Sequence, residues 1–292
     1  MTAYLVRRTG TSIVILFGIS IFIFGLLHAI YPSPARAILG PKASLIAVED
    51  WNKANGFYGP WIVQYWHYIG NALHGNFGYS FKLNQSVASL FQERWARSAY
   101  LVGASLAIAI IFAIPLGIYQ AVRRNGIGDS ILTSWAFTFY AMPDFLLYLI
   151  AVQVLALSFP IFSYEASQST SVLAVAADWR AMTLPIVCIT LLLLAGYSRY
   201  MRSAAMDTLA QDYIKAARAK GLPERLVLYR HLVKNAFLPM VTLIGLSIPA
   251  LLAGNLIAET VFNYNGLGLL FYNSLQNEAT RRCWPTRWSA PC

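Results

Sequence analysis

Charge is scarce in this chain: 12% of its 292 residues are Asp, Glu, Lys or Arg, against 58% hydrophobic. That balance, with a mean hydropathy of +0.53, is too apolar for a soluble domain with a solvated surface and places the chain in a bilayer. Cysteine is nearly absent. Cys188 lies in an apolar run and Cys283 and Cys292 lie at the end, a spacing that offers neither a metal site nor a disulfide framework. No Gly-x-x-x-x-Gly-Lys-Ser/Thr phosphate loop, Gly-x-Ser-x-Gly elbow or His-Glu-x-x-His helix occurs, which excludes the nucleotide, hydrolase and zinc chemistries those motifs carry. His28, His67, His74 and His231 are too dispersed for a motif, and no internal repeat or low-complexity tract is visible. The net charge of +10 comes without the zinc spacing or recognition-helix pattern of a nucleic-acid binder, so no nucleic acid is expected as a partner.

What the chain has instead is apolar runs. A spanning helix needs about 20 mostly apolar residues, and five segments qualify: Thr9 to Tyr31, Ala99 to Ala121, Ile131 to Leu157, a short one from Met182 to Tyr197, and Phe237 to Ala258. The fold class is therefore an all-α polytopic membrane protein with five transmembrane helices. The first run is too long for a cleaved signal peptide and is read as a retained span. Lys and Arg mark cytoplasmic flanks. Arg7 and Arg8 precede the first span, Arg123 and Arg124 follow the second, and Arg199, Arg202, Lys215, Arg218, Lys220, Arg225, Arg230 and Lys234 separate the fourth and fifth. That distribution puts the N-terminus in the cytoplasm of a multi-pass protein of the cell membrane. Between the first two spans, "GPWIVQYWHYIGNALHGNFGYSF" reads as an aromatic amphipathic helix ending in Gly-rich turns, suited to the lipid interface and to packing on the spans. The chain thus divides into residues 1–31 (N-terminus and first span), 32–98 (external loop), 99–258 (membrane core, with a cytoplasmic loop at 198–236) and 259–292 (external segment and tail).

The cytoplasmic loop contains "DYIKAARAKGLPERLVLYRHLVKNAFLP". Its residues tolerate a helix up to Lys220, Gly221 is a natural left-handed stop, and Pro223 suits the first turn of a second helix. Tyr213, Ala216, Ala217 and Lys220 share one face at i, i+3, i+4, i+7. Small alanines there allow close approach of another surface, and the cations can pair with acidic groups on it. The spacing alone equally allows a solvated hairpin whose cations only fix topology.

The residue string resembles the inner-membrane permease subunits of ABC importers, in particular the dipeptide/oligopeptide/nickel group. That superfamily carries Glu-Ala-Ala-x-x-x-Gly in this loop, and here Lys215 stands at the Glu position of Lys215-Ala216-Ala217-Arg218-Ala219-Lys220-Gly221. The peptide group's own wording is closer, matched at Asp212, Tyr213, Ile214, Ala217, Arg218, Ala219, Lys220, Gly221, Leu222, Arg230, His231, Asn235, Ala236 and Pro239. The likeness extends in order through "YLVRRTGTSIVILFGISIFIFGLLHAIYPSP", "IPLGIYQAVRRNGIGDSILT" and "AETVFNYNGLGLLFYNSLQN".

The resemblance implies a heteromeric peptide importer. This permease would pair with a second homologous permease, two cytoplasmic ATPase subunits would bind ATP and Mg, and an external solute-binding protein would deliver substrate. The chain itself would hold no cofactor and would not be an enzyme. Its ATPase-coupling residues would be Asp212, Tyr213, Lys215, Ala216, Ala217, Lys220 and Gly221. Nickel or another small solute is the alternative cargo. Two further classes are weaker: a membrane enzyme would need convergent ionisable groups, for which only His28 and Asp144 offer themselves, and an ion-driven carrier would need inverted repeats. Asp144, in "YAMPDFLLYLI", is costly in a span unless paired or hydrated; with Pro143 interrupting the helix, two roles are open to it, facing the translocation path or hydrogen-bonding a neighbouring helix or the second permease. The family also leads one to expect a sixth span, where this chain has "EATRRCWPTRWSAPC". Starting each codon at the third base of the previous one turns Cys283–Trp284 into Leu and Trp284–Pro285 into Ala, so that stretch reads as a frame-shifted span, the alternative being an authentic divergent tail.

Overall fold

The computed structural model describes residues 2–30, 35, 39–40, 43–54, 57, 59–80 and 83–282. Two compact units divide at residues 90 and 91, inside a helix, where the sequence placed its boundary at 98. The tail from 283 onward, on which the frame-shift reading turns, lies outside the described residues.

The first unit holds α1 (Thr2–Ile30), α2 (Leu45–Ala54) and α3 (Trp61–Leu73). Helix α1 satisfies its backbone groups internally, as hydrocarbon demands. The aromatic helix α3 packs on it. Tyr65, the buried residue of α3, exchanges a 2.7 Å hydrogen bond with Ser20 and sets its ring edge-on to Phe24, 5.5 Å between centroids. Trp66 lies against Phe17. A two-residue hairpin then follows, β1 (Tyr79–Ser80) pairing with β2 (Gln85–Ser86), a local exception to the all-α expectation.

Helix α4 (Val87–Val122) carries the chain into the second unit. There follow α5 (Ile127–Ala141), α6 (Asp144–Ala151) continued by a π-helical turn at Val152–Ser158, α7 (Val172–Ala177) and α8 (Trp179–Leu209). After these come α9 (Asp212–Ala219), α10 (Glu224–Leu226) continued by a second π-helical stretch at Val227–Val233, α11 (Lys234–Ala253), α12 (Leu256–Val261) and α13 (Leu267–Arg282). Pro115, Pro185, Pro239 and Pro249 lie inside helices, which membrane helices tolerate better than soluble ones.

Among the described residues, four helical stretches are long and apolar enough to cross a membrane: 3–26, 87–122, 179–209 and 224–261. The segments 127–141 and 144–158 make a fifth if they are one broken span, being bent by 101°. Each of the five expected apolar segments thus falls in helix, as four or five candidate spans, with three corrections. The third is not continuous, because Pro143 cannot continue the helical ladder and its ring disfavours a helical residue before it. The fourth, expected to be short, is a helix of 31 residues, about 46 Å long, since helix-tolerant polar residues extend it past the apolar stretch. The fifth stops at Gly254, and Leu256–Val261 is a separate short helix.

Two apolar clusters hold the second unit together. One gathers Leu101, Tyr148, Met182, Leu184, Cys188, Phe262 and Tyr264. The other gathers Ala109, Ala113, Met201, Ala205, Leu232 and Met240, whose small residues let α4, α8 and α11 approach closely.

Candidate coupling site

Helix α8 leads through Ala210 and Gln211 straight into α9. Ile214 is the one large aliphatic residue of α9, and burying it contributes about 1.5–3 kcal/mol. It turns inward with Ala217, and both pack on Val227, flanked by Leu209 and Leu222. Arg218 closes the hairpin by a bidentate pair with Glu224 at 2.6 and 3.2 Å, and this bond raises the Arg218 guanidinium further above its ordinary pKa. Gly221 has φ +74°, the left-handed conformation a side chain would strain. It ends the helix as expected.

Asp212, Tyr213, Lys215, Ala216, Lys220 and Gly221 are exposed. Ala217 is not, at 6%. The docking face read from the sequence is therefore corrected: Tyr213, Ala216 and Lys220 point outward, and Ala217 belongs to the hairpin's own core. The reason is that Ile214, three residues earlier, fixes the inner face and carries Ala217 with it. Lys215, which departs from the superfamily pattern, pairs with Asp212 at 2.9 Å on the surface, a contact worth little for stability in high dielectric. Among the described residues, no group of three or more His, Cys, Asp or Glu could hold a metal ion.

Two further networks lie in the second unit, and neither was singled out in the sequence. Arg202 on α8 grips Asp129 on α5 with both prongs, Nε to Oδ1 at 2.9 Å and Nη2 to Oδ2 at 2.8 Å. Asp129 also accepts from the Asn125 backbone N–H at 3.0 Å and from Thr133 Oγ1 at 3.2 Å. The turn joining α4 and α5 is thereby fixed to the helix that carries α9. At the other network, Glu259 is fully buried and accepts from Ser98 Oγ at 2.7 Å, the Asn255 N–H at 3.2 Å and the Leu269 N–H at 3.1 Å. Ser98 Oγ in turn accepts from the Leu267 N–H at 2.8 Å. A Cβ on Gly266 would stand 2.3 Å from Glu259 Oε2 and 2.4 Å from Ser98 Oγ, so only glycine fits. A carboxylate followed by glycines at the seventh and ninth positions was the available signal.

Asp144 does not sit within a continuous helix. It opens α6 directly after Pro143 and is exposed, where the helix N-terminus favours a carboxylate. His28 belongs to the first unit.

The chain matches the family model of the binding-protein-dependent transport system inner membrane component over residues 113–282 and that family's N-terminal model over residues 1–107. It is similar to the glutathione transport system permease protein GsiC of Escherichia coli (strain K12), 34% identical over 276 residues, covering 94% of this chain and 87% of that protein. It is similar to the same degree and coverage, 34%, 94% and 87%, to the oligopeptide transport system permease protein AppB of Bacillus subtilis (strain 168). The two family models divide the chain near residue 110, within α4. A multi-pass helical architecture, the two matched models and these relatives agree, and the chain belongs to the binding-protein-dependent transport system inner-membrane component family.

Proposed function

We propose that this chain moves peptides across the cytoplasmic membrane as the permease of an ABC importer, with α9 as its coupling helix. The relatives quoted are named for glutathione and an oligopeptide, which favours peptides over nickel as cargo. The observation that carries the reading is the outward face Tyr213, Ala216 and Lys220, presented by a hairpin with a core of its own at the end of α8. In this reading the N-terminus is cytoplasmic and a second, homologous permease completes the path. Two ATPase subunits dock against α9 and bind ATP and Mg, while a solute-binding protein delivers substrate from outside. ATP-driven closure of the ATPases moves α9, α8 transmits the movement, and the permease pair alternates between inward-open and outward-open states. The chemistry belongs to the ATPases and the geometry to this chain.

Asp144 faces the path at the helix break and attracts the cationic amino terminus of a passing peptide. ATP-dependent peptide uptake by the reconstituted complex tests both statements. Wild-type complex is expected to take up peptide, and Asp144→Asn to lose about tenfold in rate with normal assembly. Loss of assembly instead would make Asp144 a contact to the second permease, and absence of uptake by the wild type would sink the peptide reading itself.

A further inference from the structure

The helix that leaves the coupling hairpin is not wound as an α-helix throughout. From Val227 to Val233 it is a π-helix, in which each carbonyl accepts from the N–H five residues on instead of four. The buried residues along it show why. Val227, Leu232, Ala236 and Met240 are at most 1% exposed, and their spacings are five, four and four. On an α-helix, residues four apart stand about 40° from one another and residues five apart about 140°. An α-helix through 227–233 would therefore turn Val227 away from the face that buries the other three. The π winding takes up the extra residue and keeps all four in one stripe.

The two ends of that stretch are held by different bodies. Val227 packs with Ile214 and Ala217 in the hairpin's own core, whereas Leu232, Ala236 and Met240 belong to the cluster that joins α4, α8 and α11. Between the two anchors Tyr229 and Arg230 are exposed, Tyr229 at 79%, so packing within this chain does not lock that side of the stretch. Runs of π-helix are rare and recur at functional sites. We infer that residues 227–233 are a compliant joint between the coupling hairpin and α11. When α9 is driven, the stretch exchanges π for α hydrogen bonds, and the hairpin shifts as a body by up to one residue's rise, about 1.5 Å. Val227 stays in the hairpin core and Leu232 in the membrane core, so two discrete arrangements of one short element carry the motion. This rests on the reading of α9 as the coupling helix and adds, beside α8, the element through which its movement reaches α11.

Deleting Tyr229 makes every spacing in the buried stripe four, so a plain α-helix then satisfies both anchors and the joint is stiff. Tyr229→Ala removes the same side chain and keeps the extra residue. In the reconstituted complex the deletion is expected to melt at or above the wild-type temperature, while substrate-stimulated ATP hydrolysis and uptake fall about tenfold; Tyr229→Ala is expected to match wild type. Amide hydrogen exchange over 227–233 is expected to differ between resting and vanadate-trapped wild-type complex. Normal coupling in the deletion overturns the inference and leaves the π stretch a packing adjustment. So does a deletion that melts below wild type, because the fold itself then needs the extra residue, and so does wild-type exchange that is the same in both states. Loss of coupling in Tyr229→Ala also overturns it, by assigning the effect to the side chain. Wild-type complex whose ATP hydrolysis does not respond to substrate removes the coupling reading, and this joint with it.

Discussion

Ala216→Trp is expected to leave the permease as stable as wild type, within about 0.5 kcal/mol, while uptake falls at least about tenfold and ATP hydrolysis stops responding to substrate. The indole would project from the exposed face of α9 and hold an opposing surface away, since only a small side chain permits close approach there. Nothing in the hairpin core is touched, because Ile214, Ala217 and Val227 pack on the other side. Ala217→Leu reports the converse. Inserting methylenes into that small core costs about 1–3 kcal/mol, so the thermal midpoint falls together with transport. Two adjacent alanines thus separate docking from folding. Thermal unfolding and substrate-stimulated ATP hydrolysis on both variants check this, and normal coupling in Ala216→Trp would reduce α9 to a topology-fixing hairpin.

Asp129→Ala is expected to destabilise the permease by about 3–5 kcal/mol, because it leaves the Arg202 guanidinium partly buried without its counter-charge. The pair is well enclosed, the two side chains being 5% and 24% exposed for Asp129 and Arg202, so solvent screens it only weakly. A loss of that size lowers the thermal midpoint by roughly 6–20 °C in a chain of this length. Replacing both partners by apolar residues, Asp129→Leu with Arg202→Met, is expected to recover part of the loss, since no charge is then stranded. A single variant that melts with the wild type would show that the pair does not hold α5 to α8.

What could be read from the sequence was whatever depends on neighbours along the chain. Runs of apolar residues marked the spans, Pro143 marked the break that became a 101° bend, and Gly221 marked the end of α9. The coupling string was legible because its residues are consecutive. Facing was less so. Tyr213, Ala216, Ala217 and Lys220 share a helical arc, and the packing of Ile214 on Val227 across the hairpin carries Ala217 inward and leaves Ala216 outside. Long-range pairs were not legible at all. Asp129 and Arg202 are 73 residues apart and Ser98 and Glu259 161, and in sequence Arg199 and Arg202 are two similar cations beside a span. In space Arg202 neutralises Asp129 while Arg199 stacks on the rings of Phe137 and Tyr140, a difference set by where α5 crosses α8.

The central claim is that the outward face of α9 docks on a cytoplasmic ATPase subunit. A photo-crosslinking amino acid placed at Tyr213, which is 41% exposed on that face, tests it in the assembled complex in membranes. Leu173, 82% exposed on α7, serves as the control, since the proposed topology puts it outside. The account predicts that irradiation joins position 213 to an ATPase subunit, that saturating ATP changes the yield, and that position 173 gives no such product. Crosslinking of position 213 only to lipid or to the solute-binding protein would contradict it.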